Sequence, residues 1–135
     1  MPVDPYIPLE DEEQATFVQW LELQGLKFTA VPNSTYTTSW KQKSKNHRTG
    51  LRAGFPDLVV LIPPDASVTG EGYFLCIEMK RVKGGTVSKE QAAWRDSING
   101  LDAQNVAAYV CKGAQEAIDL VTKHLAGGLA KTVQF

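Results

Sequence analysis

The chain has no run of about 18 apolar residues, so no membrane-crossing helix is expected. Its N-terminus, Met1-Pro2-Val3-Asp4-Pro5, lacks the basic start and the apolar stretch of a signal peptide. Cysteine is scarce. Cys76 and Cys111 both fall in apolar, strand-like runs, which fits reduced core thiols better than a disulfide framework. The histidines are His47, in a basic stretch, and His124, near a helix end. No zinc-ligand spacing, no phosphate-cradling P-loop and no Gly-x-Ser-x-Gly elbow occurs, so hydrolases built on a nucleophilic Ser or Cys are poor candidates. A soluble, cytoplasmic protein with no membrane partner and no organic cofactor is expected.

At 135 residues the chain has room for one domain (1–135, with a core over about 10–126). An apolar fraction of 43% argues against disorder. The net charge of −1 argues against a protein held on nucleic acid by global charge alone. The distribution says more. Residues 1–13 carry Asp4, Glu10, Asp11, Glu12 and Glu13 without a base, whereas residues 41–52 carry Lys41, Lys43, Lys45, Arg48, Arg52 and His47 without an acid. Such segregation suggests a basic loop for phosphates, with a plain exposed loop as the simpler alternative.

Periodicity gives a coarse map. Gln14 to Gly25 reads as an amphipathic helix with Phe17, Trp20 and Leu21 at helical spacing. Leu26 to Val31 is a strand candidate ended by Pro32, and 33–53 is a polar stretch without clear period, expected to be a long functional loop. Asp57 to Ile62 and Tyr73 to Lys80 are strong strands joined by a short connection, hence an antiparallel pair. Ser88-Lys89-Glu90-Gln91 forms a capping box opening a helix to about Asn99. Asn105 to Cys111 is a further strand and Ala114 to Ala126 a last helix, with a frayed tail beyond Gly127-Gly128. The order α-β-β-β-α-β-α implies an α/β fold, a central mixed sheet flanked by helices.

Chemistry concentrates at Glu78-Met79-Lys80 and the preceding Gly54-Phe55-Pro56-Asp57-Leu58. Strand alternation puts Phe74, Cys76, Glu78 and Lys80 on one face and Tyr73, Leu75, Ile77 and Met79 on the other. Both faces are largely apolar, so this strand should be central and covered on both sides. Burying unpaired charge there costs several kcal/mol, on the order expected for a desolvated ion, unless partners or a metal compensate. Asp57, at the start of the neighbouring strand, can be brought beside Glu78. A plain strand-end ion pair is the alternative for an isolated Glu-x-Lys. Gln91 lies one turn before Trp94 and two before Ile98, so it can face the strand ends as well as close the capping box.

These residues resemble the PD-(D/E)XK nuclease superfamily and, more narrowly, the virus-type replication-repair nuclease (VRR-NUC) family. The matching stretches are Glu10-Asp11-Glu12-Glu13-Gln14 with Trp20, Pro32-Asn33, Ala53 through Leu58, Phe74 through Arg81, Gly84-Gly85, and Ser88 through Gln91 with Trp94. They span residue 10 to about 112. The resemblance implies a restriction-endonuclease-like core and a divalent metal, Mg²⁺ or Mn²⁺, held by Asp57, Glu78 and the backbone carbonyl of Met79. A first-helix glutamate often joins, Glu10 by preference and Glu13 as the alternative. The dipole of the helix accounts for Asp11 and Glu12.

The implied activity is metal-dependent endonucleolytic hydrolysis of DNA, leaving 5′-phosphate and 3′-hydroxyl ends. Lys80 would orient water or offset charge on the phosphate, and Gln91 would help position the nucleophile. Stand-alone members resemble Holliday-junction resolvases, so branched DNA and a homodimer are expected, with a phage-type repair or recombination role. The 33–53 stretch, with Arg81, Lys83 and Lys89, would contact phosphates. A sequence-specific restriction-type enzyme and a non-catalytic nucleic-acid-binding module remain as alternatives.

Overall fold

A computed structural model describes residues 6–32 and 39–127. Asn33, Asp4 and the tail beyond Gly127 therefore lie outside the described residues. Helix α1 (Glu10–Gln24) leads to strand β1 (Lys27–Ala30), helix α2 (Trp40–Arg48) and strand β2 (Leu58–Ile62). A short 3-10 turn (Pro64–Ala66) precedes strand β3 (Tyr73–Lys80), and helix α3 (Lys89–Asn99), strand β4 (Val106–Lys112) and helix α4 (Ala114–His124) complete the order. Among the described residues no helix is long and apolar enough to cross a membrane.

The strands form one sheet in the order β1-β2-β3-β4. β1, β2 and β3 run antiparallel in sequence, and β3 pairs parallel with β4 through the α3 crossover. This is the expected mixed sheet flanked by helices. One face is the core: Leu58, Val60, Ile62, Leu75, Ile77, Met79 and Cys111 pack against Phe17, Trp20 and Leu21 of α1 and Ala114, Ala117 and Val121 of α4. Leu125 leaves the helix in extended conformation and bridges to Ser67, which ends α4 before Ala126.

The other face is covered unequally. α3 lies over β4, where the Asn99 side chain accepts from the Ala108 N–H (2.8 Å) and donates to its carbonyl (3.0 Å). Those bonds satisfy backbone groups of an edge strand that would otherwise invite pairing. Toward β1 and β2 no helix of the described residues covers this face, so Phe74 is exposed and Val59 and Leu61 are half-buried. The expectation that β3 is covered on both sides is thus correct from Leu75 to Lys80 and wrong at Phe74.

Two further expectations need correction. α1 begins at Glu10, four residues before Gln14, because Glu10, Asp11, Glu12 and Glu13 sit in its first turn, where carboxylates complement the dipole. The stretch 33–53 is not one long loop, since it contains α2. This helix adds an element between the first two strands of the expected order. It is set by local chemistry: the Ser39 hydroxyl accepts from the Gln42 N–H (3.2 Å), and Gln42 Nε2 donates to Asn46 Oδ1 (2.7 Å). No residue of α2 is buried, so no apolar period marks it.

Candidate active site

The β2–β3 register builds the site. Leu58 pairs with Ile77, so Asp57, one residue earlier, comes opposite Glu78 on the face away from the core. Asp57 Oδ2 accepts the Met79 N–H at 2.7 Å, which fixes the carboxylate across the strand end. Its loop is clamped from α3. The Trp94 indole N–H donates to the Ala53 carbonyl (3.1 Å), and the Phe55 and Trp94 rings meet edge to face at 5.1 Å. Gly54 has φ +97° and lies so close to α3 that a Cβ there would stand 2.5 Å from the Glu90 carbonyl carbon. Only glycine fits that turn.

Glu78 is 4% exposed and Lys80 7%. Gln91 Nε2 donates to Glu78 Oε2 at 3.0 Å, and Lys80 Nζ lies 3.8 Å from the same oxygen. Gln91 also closes the capping box, its Oε1 accepting from the Ser88 N–H (2.9 Å) while its own N–H donates to Ser88 Oγ (3.1 Å). One side chain thus ties the start of α3 to the centre of the sheet. Glu78 Oε1 is buried without a hydrogen-bond partner. Burial pushes the Glu78 carboxyl up to about 9, with the neighbouring Asp57 carboxylate adding to the rise, Lys80 opposing it and Glu10 adding a little. Across the site, Glu10 Oε1 lies 3.8 Å from Lys80 Nζ. Burial raises the Glu10 carboxyl above its ordinary value, against the pull of Lys80.

Asp57, Glu78, Lys80, Gln91 and Glu10 therefore converge from β2, β3, α3 and α1. Glu13 does not join them. Its Oε1 accepts the Ala114 N–H (3.2 Å) at the start of α4, where a carboxylate satisfies an otherwise unpaired donor. The expected phosphate contacts are spread out. Lys41, Lys43, Lys45 and Arg48 lie on α2, while Lys83, between β3 and α3, and Lys89, at the start of α3, are exposed. Arg52 Nη1 donates to the His47 (2.8 Å) and Leu51 (3.0 Å) carbonyls at the end of α2. Arg81 is engaged with the carbonyls of Ile7 (3.1 Å) and Pro8 (3.3 Å), pinning the segment that enters α1. Sequence pattern alone does not reveal the clamp of Ala53 and Phe55 on Trp94 and of Gly54 on Glu90; the glycine ahead of Phe55-Pro56 is its one sequence signal.

Among the described residues no three His, Cys, Asp or Glu side chains form a ready metal cage. The donor set is leaner, a pair of carboxylates with one oxygen unsatisfied. That suits a cation such as Mg²⁺, which keeps several waters and takes one or two carboxylates plus substrate phosphates. The residues present fit the implied metal.

Asp57 ahead of β2 and Glu78 and Lys80 on β3 thus bring two carboxylates and a lysine together at adjoining strand ends. Residues 3–115 match the family model of the VRR-NUC domain. The chain belongs to the VRR-NUC family, a family of nucleases. No curated protein matches the chain. A solved structure, a "VRR_NUC domain protein", superposes with a TM-score of 0.63 at 23% identity, covering 88% of this chain and 89% of that one. At that identity the likeness speaks for the fold.

Proposed function

We propose that this protein is a Mg²⁺- or Mn²⁺-dependent endonuclease that hydrolyses phosphodiester bonds in DNA, selecting branched forms such as Holliday junctions. The observation that carries this reading is the buried Glu78. Its carboxyl is pushed up to about 9 beside Asp57, and Oε1 has no partner. Two carboxylates held together at such cost, with one lysine 3.8 Å away, form a site that gains from a cation. Asp57, Glu78 and the Met79 carbonyl would hold it, with Glu10 in support. When bound, the cation polarises the scissile phosphate and lowers the pKa of a water beside it.

The chain's own groups do the rest. Lys80, anchored between Glu78 and Glu10, presents an ammonium where charge develops on the phosphate. Gln91 holds Glu78 in place through Nε2 and helps position the attacking water. The exposed lysines of α2, with Lys83 and Lys89, supply phosphate contacts whose strength falls with salt. A two-fold homodimer cutting two strands belongs to the same proposal, since 135 residues cover little duplex.

The test is a panel of linear, nicked, flapped and four-way DNA incubated with Mg²⁺ or Mn²⁺. Preferential cutting of the four-way form is expected. Discrete fragments from plasmid DNA would favour a restriction-type enzyme instead. Sedimentation showing a monomer at micromolar concentration, with full activity on junctions, would remove the dimer.

A further inference from the structure

α2 carries Lys41, Lys43, Lys45, His47 and Arg48 with no carboxylate from Trp40 to Arg48, and none of its residues is buried. Among the described residues none of its cations forms an ion pair. Lys41 and Lys45 lie one turn apart, a like-charge spacing that weakens an isolated helix. A helix with no buried face and unpaired cations offers its surface to a partner, and the charge calls for a polyanion.

Phosphate contacts alone need no aromatic group, yet Trp40 is 82% exposed, more than any other large apolar side chain of the described residues. Helical spacing places Trp40, Lys43, Ser44, His47 and Arg48 on one side of α2. With Arg52 they line a groove of about 580 Å³. An indole flanked by cations is the combination that holds single strands: the base stacks on the ring and the backbone lies on the charges. The groove is also tied to the active site. Arg52 holds the end of α2, Ala53 is bonded to Trp94, and Gly54 is wedged against Glu90 only three residues before Asp57.

We infer that the Trp40 face of α2 docks unpaired nucleotides, such as those opened at the branch point of the DNA to be cut. The link to cutting rests on the nuclease reading above; the docking itself does not.

The test is metal-free binding of the full chain to a labelled oligothymidine of about twelve nucleotides and to a blunt hairpin of similar charge. The oligothymidine is expected to quench tryptophan fluorescence and the hairpin is not. Trp40→Ala should remove that quench and lower the ratio of single-strand to hairpin affinity roughly tenfold or more, and Trp40→Phe should restore most of the ratio. A Lys43→Ala, Arg48→Ala double variant should weaken both ligands and flatten their salt dependence by about two phosphate contacts. An unchanged ratio in Trp40→Ala, or equal quenching by the hairpin, overturns the inference. Because no cleavage is measured, an inactive protein with a Trp40-dependent ratio overturns the nuclease reading alone. Cleavage with an unchanged ratio overturns only the docking.

Discussion

Glu78→Gln should make the metal-free protein more stable at neutral pH while abolishing its function. The carboxyl is 4% exposed and sits at about 9 in the folded chain against an ordinary 4.5. A group raised on folding contributes most below its unfolded value, and that contribution is lost as pH rises toward the folded value. Between pH 4.5 and 7 the unfolded chain ionises Glu78 and the folded one does not, at about 1.4 kcal/mol per pH unit. The ceiling is about 3 kcal/mol at pH 7, or roughly 10 °C in Tm. Glutamine keeps the shape. Its carbonyl can accept from Gln91 and its amide can donate toward Asp57. Urea unfolding in EDTA at pH 4.5, 6 and 7 measures the difference. The variant should gain stability over wild type progressively from the lowest pH to the highest. A difference that does not change with pH, or a wild type that is the more stable at pH 7, refutes the reasoning.

Mn²⁺ binding should displace the proton held on Glu78, so calorimetry at pH 7 in buffers of different ionisation enthalpy should show release of about one proton per metal, and affinity should rise with pH up to about 9. Equal heats in all buffers would contradict this. Gly54→Ala forces a Cβ to 2.5 Å from the Glu90 backbone at φ +97°, so a loss of about 3 kcal/mol is expected in urea unfolding. A loss below about 1 kcal/mol would mean the clamp yields. Glu13→Ala removes the carboxylate at the start of α4 and should cost about 1 kcal/mol without changing Mn²⁺ affinity. Glu10→Ala should weaken that affinity, and the reverse pattern would exchange the roles of the two glutamates.

β3 was legible from end to end because a near-continuous apolar run marks a central strand, and Ser88 marked the start of α3 because a capping box is a local signal. The convergence of Asp57, Glu78 and Gln91 could be read in outline, since a hairpin and a capped helix bring strand ends and a helix start together. α2 could not be read from hydrophobic pattern, because none of its residues is buried and its helix rests on Ser39 and the Gln42–Asn46 pair. The fates of Arg81 and Glu13 were equally hidden. Each is a charge spent on backbone groups distant in sequence, Ile7 and Pro8 for one and Ala114 for the other. Composition counts such charges as surface, and only the packed chain shows which backbone groups they reach.

The central claim is that the buried cluster around Glu78 and Lys80 cuts DNA with a divalent cation. Its most direct measurement is single-turnover cleavage of four-way DNA in Mn²⁺ by wild type and Lys80→Ala, purified in parallel and repeated with EDTA. Wild type should cut, EDTA should stop it, and Lys80→Ala should be slower by about a hundredfold or more. A Lys80→Ala protein that cuts as fast as wild type, or cleavage that survives EDTA, contradicts the account.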